Sequence, residues 1–358
     1  MKRERNYGID LLKCVSMLLI VVLHILGAGG ILGAAAPGSA ALHAAWYLET
    51  LALCAVDCFG LASGYVLCKG HYRYSRIFSL WIRVVCEMLA VTTLFAVFLP
   101  AAVGRHEWTI ALTPVLHNVY WYFTAYFALF FFVPYLNKML LALSGRERIG
   151  IILCILVLGT ILENFAQDDI FGLHGGYCFL WLTALYILGG CIRLSDVRDE
   201  GINRAFYLAG YFIAALLGWG LITLFGNQRF VSYTSPFILA EAVLLLFYFR
   251  RLPIDRSRAH TALSMFSRTS FGVYIIHTVP LVWVHVLANR FIPYLRRPVP
   301  LMLLLVLLTA AGIYLLCTLG DWLIEKLLKL VRVDLLEQRI DRFVSHTGEK
   351  LQKQAENR

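Results

Sequence analysis

The densest set of chemically useful residues lies near the start of the chain, where Asp10, Lys13 and His24 fall within one apolar run. Asp10 and Lys13 stand one helical turn apart. The step of eleven residues from Lys13 to His24 returns to within about 20° of the same helix face and rises about 16 Å. One stripe then joins a charged mouth to a deep imidazole, a group suited to general-base chemistry. The same residues also fit a plainer reading, in which Asp10 and Lys13 form an interfacial ion pair and His24 is a hydrogen-bonded interior histidine.

A second group follows in the next apolar run, with Asp57 and then Ser63, Gly64 and Tyr65 ahead of a basic loop holding Lys69, His71, Arg73 and Arg76. Arginines there suit the phosphates of an anionic ligand through their forked donors, or they serve membrane orientation alone. Ser63 and Gly64 equally suit close helix packing. Further on, Ser270, Tyr274 and His277 recur at spacings of four and three, which puts them on one helix face. With a span starting at Ser270, His277 is expected about 10 Å from the basic side, as a base, a ligand or a packing hydrogen-bond partner. His285 lies two turns beyond. Arg83 and Glu87, at i and i+4, read as a buried ion pair.

These residues need a scaffold, and composition says which. The 358 residues are 60% hydrophobic and only 15% charged, with a mean hydropathy of +0.72. Ordinary soluble domains are about 45–50% apolar and about 25% charged. Runs long enough to cross about 30 Å of hydrocarbon recur along the chain. They predict an all-α polytopic membrane protein with about ten transmembrane helices, near 9–31, 46–68, 77–103, 120–143, 149–164, 176–194, 205–225, 235–249, 270–291 and 299–328. Residues 1–328 then form one membrane domain. Residues 329–358 form a charged tail, with Leu330, Val331, Leu335, Leu336, Ile340 and Phe343 at the spacing of an interfacial amphipathic helix. The basic N-terminus leads into a span without a small-residue cleavage site and is expected to be retained.

Charge placement orients the spans, because lysine and arginine concentrate in cytoplasmic loops. With both termini inside, the outer loops hold only Arg105, Arg229, Arg290, Arg296 and Arg297, five of the 32 lysines and arginines. The net charge of +10 is thereby a matter of topology and gives no support to nucleic-acid binding. The nine cysteines lack a paired metal-ligand spacing, fall mostly inside apolar runs and read as packing residues.

The segments 9–13 and 21–24, Phe59 to Tyr65, Arg73 with Arg76, Trp121-Tyr122-Phe123 through Pro134, and Ser270 to His277 together resemble the membrane acyltransferase-3 family of bacterial O-acyltransferases. The resemblance implies transfer of an acyl group, usually acetyl, from cytoplasmic acetyl-CoA or another acyl-CoA to a hydroxyl of a cell-envelope carbohydrate or related acceptor, without a metal, in the plasma membrane. It puts His24 at the family's catalytic histidine, with Asp10 and Lys13 at the cytoplasmic mouth. Lys13 replaces the family's arginine, which keeps the charge but loses the bidentate fork. Arg73 and Arg76 match the paired arginines of a donor-phosphate site, and Ser63, Tyr65, Tyr122, Tyr274 and His277 are candidates for the cavity wall. Family members often carry an extracytoplasmic catalytic domain. With only a short tail, this chain is expected to act alone or with a separate extracytoplasmic partner. The competing expectation is a proton-coupled transporter of a small polar solute or glycan intermediate, with His24, Asp57 and Glu241 as the relay; against it stands the absence of broken helices in repeated positions. A membrane sensor or assembly component without chemistry is the third.

Overall fold

Asn6 starts the first helix, its side chain accepting a bond from the Ile9 backbone N–H at 3.2 Å, as residues that favour helix N-termini do. The helix α1, Tyr7–Leu26, then runs through the middle of the molecule, and twelve of its twenty residues are buried. It packs against four other helices, α2 (Ala40–Leu67), α8 (Pro236–Arg250), α9 (Ser257–Thr278) and α10 (Val299–Leu330). At Gly8 the approach of α8 is so close that an added Cβ would lie 1.9 Å from the Phe249 carbonyl oxygen.

The computed structural model describes residues 5–70, 72–166, 168–195, 201–226, 228–254, 257–330, 332, 333, 335 and 337–342, and among them every regular element is helical. Between α2 and α8 lie α3 (Ser75–Phe98), α4 (Trp121–Ala142), α5 (Gly145–Phe165), α6 (Phe179–Leu194) and α7 (Arg204–Phe225). Among the described residues eight helices are long and apolar enough to cross a membrane, or nine when the bent pair that begins with α9 is taken as one span. The expected ten is reached only by adding the shorter apolar α6. The chain is therefore an all-helical polytopic membrane protein. Of the amphipathic tail, residues 337–342 are helical, whereas Val331, Leu336 and Phe343 onward lie outside the described residues.

The largest departure from the sequence pattern is at α9. The expected span began at Ser270, but the helix begins at Ser257 and ends at Thr278, because the polar stretch around Arg268 is helical as well. At its end Val279 is extended and Pro280 opens a new segment bent by 57°. Proline lacks the N–H that would continue the ladder and disfavours helical geometry in the residue before it. His277 thus lies twenty residues along α9, about 30 Å from its start, rather than shallowly inside it. His24, seventeen residues along α1, lies about 26 Å from that helix's start. The two depths correspond.

Two polar groups buried in the bundle pair across helices. The Arg83 guanidinium on α3 bonds Glu87 at 3.1 Å, as its spacing predicts, and also Asp321 of α10 at 2.7 Å; both carboxylates are wholly buried. Asn137 on α4 donates to the Leu67 carbonyl at 3.0 Å and accepts from the Tyr186 hydroxyl at 2.7 Å, which ties α4 to α2 and α6. Between α2 and α6 the backbones nearly touch: a Cβ on Gly64 would stand 1.9 Å from the Tyr186 carbonyl oxygen, so the residue must be small. Breaking one partner of a buried charge group typically costs about 3–5 kcal/mol. We expect Asp321→Ala, which leaves Arg83 with Glu87 alone, to lower the unfolding temperature of detergent-purified protein by many degrees. An exposed change such as Leu316→Ala on the same helix should leave it within about a degree or two.

Candidate functional site

The face of α1 that carries Lys13, Met17, Ile20 and His24 borders three cavities in succession. The first, of about 270 Å³, lies at the end where α1 begins and is lined by Arg5, Asp10, Lys13, Tyr65 and Arg193 among others. The second is an apolar neck of about 50 Å³ between Met17, Ile20, Phe59, Phe271 and Tyr122, with His24 and Tyr274 at its border. The third, of about 470 Å³, opens beyond the histidine and is walled by Tyr120, Trp121, Tyr177, Tyr274 and Trp283. His24 and Tyr274 line both the neck and this outer cavity. Successive side chains of one helix stripe therefore lead from a basic chamber to an aromatic one.

At the junction His24 Nδ1 lies 2.8 Å from His277 Nε2. The second ring nitrogen of His277, Nδ1, lies 2.5 Å from the carbonyl oxygen of Val273, one turn back on α9. His277 is 1% exposed, and the Trp283 ring stands edge-on to His24 with 4.9 Å between centroids. The Tyr274 ring stands 5.8 Å from the Tyr120 ring and 6.2 Å from the Tyr122 ring, centroid to centroid. The Tyr120 hydroxyl donates to the Ile275 carbonyl. Among the described residues no group of three or more His, Cys, Asp or Glu side chains is arranged to hold a metal ion.

The residues singled out in the sequence divide into those the fold brings together and those it does not. His24, His277, Tyr122 and Tyr274 meet around the neck, and Lys13, Asp10 and Tyr65 share the basic cavity. Ser63 lines none of the three cavities. Asp10 does not pair with Lys13 as expected; its carboxylate is taken by Arg5 at 2.5 Å and by the Ser267 hydroxyl at 2.9 Å. Lys13 is thereby left facing the cavity. Arg73 and Arg76 sit at the same end of the bundle but outside that chamber, around a small pocket between α2 and α4.

Arg73 is held by a residue far away in sequence. Its guanidinium contacts Asp341 at 2.6 Å, the other oxygen of Asp341 accepts from the Ser75 backbone N–H at 3.2 Å, and Glu337 takes the Ser79 hydroxyl. Two carboxylates of the C-terminal segment thus cover the N-terminus of α3, where free N–H groups favour negative charge.

Several lining residues had no distinguishing signal in the sequence. Arg193 reads there as an orienting charge at a span end, yet it stands over the Tyr65 ring and donates to its hydroxyl at 3.2 Å. Tyr177 and Trp283 resemble interfacial anchors, the usual role of tyrosine and tryptophan at span ends. Asp57 and Glu241, the expected proton relay, line neither cavity that His24 faces; Asp57 accepts from Trp181 at 3.1 Å and Glu241 sits beside Cys54 and Cys58.

A protein-family model described as an acyltransferase domain matches residues 6–320 of the chain. No curated protein and no solved structure matches the chain.

The tail contact has a pH sense. Burial raises the Asp341 carboxyl, but the bonds from Ser75 and Arg73 outweigh it and hold the group below the ordinary carboxylate range. A lowered value means the contact is complete above the unfolded value near about 4 and is lost as pH falls through the folded one. Hydrogen exchange of residues 337–342 should therefore be slow at neutral pH in the wild type and at least several-fold faster in Asp341→Asn. Equal protection in the two proteins would show that Asp341 does not hold the segment.

Proposed function

The chain belongs to the acyltransferase-3 family and is a membrane acyltransferase, and from that premise we propose that it O-acetylates a hydroxyl of a cell-envelope carbohydrate or related acceptor, with cytoplasmic acetyl-CoA as donor. The observation that carries this reading is the single α1 stripe on which Lys13 borders a basic cavity and His24 borders an aromatic one. A phosphate-bearing thioester and a sugar hydroxyl demand opposite surroundings, and the stripe supplies one at each end.

In this reading the basic end is cytoplasmic, in line with the charge distribution of the loops. Lys13, Arg5 and Arg193 attract the donor's phosphates at the mouth, and Arg73 and Arg76 add a second, cationic anchor for phosphate once Asp341 releases Arg73. The distance from Lys13 to His24 along α1, about 16 Å, suits a slender arm equivalent to four or five extended residues at about 3.4 Å each. The apolar neck excludes water around that arm. A thioester is already activated, so the protein's task is positioning and proton transfer.

His24 takes the proton of the acceptor hydroxyl as its oxygen attacks the thioester carbonyl. The Tyr274 hydroxyl donates to the carbonyl oxygen as negative charge grows there. When the carbon–sulfur bond breaks, the imidazolium returns its proton to the departing thiolate, and the ester remains on the acceptor. Trp121, Tyr177 and Trp283 offer flat apolar faces on which a sugar ring can lie. The same cavity would take a separate extracytoplasmic partner's glycan as readily as a free one. Solute transport through His24, Asp57 and Glu241 is not favoured, since the two carboxylates lie away from the histidine cavities and the family assigns acyl transfer.

Two measurements test this. Mass analysis of envelope material from a deletion strain should show a loss of one acetyl unit from the acceptor, restored by the wild-type gene but not by His24→Ala, whose transfer rate should fall at least about a hundredfold. Binding of acetyl-CoA to the purified protein should weaken about tenfold in Lys13→Ala. Normal acetylation by His24→Ala would sink the catalytic assignment.

A further inference from the structure

The hydrogen bonds around His277 decide which nitrogen of His24 is the base. A carbonyl oxygen can only accept, so the 2.5 Å contact with Val273 requires the hydrogen of His277 to sit on Nδ1. Nε2 of a neutral His277 then carries a lone pair and can only accept. The atom facing it at 2.8 Å is His24 Nδ1, which must therefore carry the hydrogen of His24. The lone pair of His24 is left on Nε2, the nitrogen not engaged by His277. A doubly protonated His277 would reverse the order, but it would bury a charge in a side chain only 1% exposed, with the Val273 carbonyl and another imidazole as its neighbours; that is costly without a carboxylate.

We infer that His277 is a positioning residue for acyl transfer: it selects the tautomer of His24 in which Nε2 is the proton acceptor, and it fixes the ring's rotation. Once Nε2 has taken the acceptor's proton, the Nδ1–H of the imidazolium still donates to His277, so the positive charge keeps a partner throughout. The chain from Val273 through His277 to His24 does with a backbone carbonyl and a neutral imidazole what a carboxylate does behind a histidine base. Its geometry depends on α9 being intact up to His277, and the helix ends one residue later, at Thr278. The Trp283 ring packs against His24 in a T-shaped contact, 4.9 Å between centroids.

This inference rests on the acyl-transfer reading for its consequence but not for its structural content, and the two fail separately. Nitrogen-15 spectra of histidine-labelled wild-type protein should show His24 with a protonated Nδ1 and a bare Nε2. In His277→Leu the population should shift to the opposite tautomer, the one that neutral imidazoles ordinarily prefer in water. A wild-type His24 protonated on Nε2 overturns the inference, whatever the activity. In membrane vesicles containing the endogenous acceptor and given radiolabelled acetyl-CoA, His277→Leu should lower kcat about a hundredfold or more and leave KM for acetyl-CoA within about twofold. His277→Gln places an amide oxygen near the site of Nε2 and should recover most of the loss. If His277→Gln is as impaired as His277→Leu while both retain wild-type thermal stability, the positioning role falls. If wild-type vesicles incorporate no more label than vesicles from the deletion strain, the acyl-transfer reading falls and only the tautomer assignment stands.

Discussion

A polar group in hydrocarbon has no water to fall back on, so each must be satisfied inside the protein or must face a cavity. Two arrangements answer this demand at the groups that matter most to the bundle and the site. Arg83 with Glu87 and Asp321, and Asn137 with Tyr186 and the Leu67 carbonyl, are groups that pair inside the protein and reach across to other helices. They lock α3 to α10 and α4 to α2 and α6. Along the central stripe of α1 the demand is met differently: Lys13 faces one cavity and His24 borders two. What is closed holds the bundle together, and what is left open is available to a substrate.

The open stripe depends on the closed groups. Asp10 could neutralise Lys13 one turn away, but Arg5 and Ser267 take its oxygens instead. Ser267 lies on α9, three turns before His277, so the bond that diverts Asp10 also fixes the register of α9 against α1. The same register brings His277 level with His24. A slip of one turn between the two helices, about 5.4 Å, would break the bond from Ser267 to Asp10 and separate the histidines together.

Much of this was legible in the sequence because it is local to one helix. The stripe of Asp10, Lys13 and His24 follows from 3.6-residue periodicity, and the Arg83–Glu87 pair from i, i+4 spacing. The face shared by Tyr274 and His277 could be read the same way, but its depth could not. Arg268 and its polar neighbours hid the first half of α9, and the break before Pro280 falls inside what looked like one apolar run. Contacts between distant segments left no periodic trace. Arg193 over Tyr65, Asp341 on Arg73 and the capture of Asp10 by Ser267 each join residues more than a hundred positions apart. Tyr177 and Trp283 in the wall of the outer cavity were likewise concealed, since tryptophan and tyrosine near span ends are expected there for interfacial reasons alone.

The break after α9 links that hidden part to the chemistry. A straight helix through residues 279–296 would carry Trp283 onward along the α9 axis and away from the His24 ring. The 57° bend turns the next segment across the end of α1, so that Trp283 meets His24 edge-on and Pro280 and Val284 join the cavity wall. Irregular backbone at such depth needs a cavity or packed protein beside it, and Val279, Leu281 and Leu287 of this segment are buried. Asn289 reaches back to the Ala28 carbonyl at 2.9 Å and Phe291 to that of Gly29 at 3.0 Å, which pins the bent segment to the end of α1 that carries the histidine. The proline that obscured the span in the sequence is thus what closes one side of the cavity in the fold.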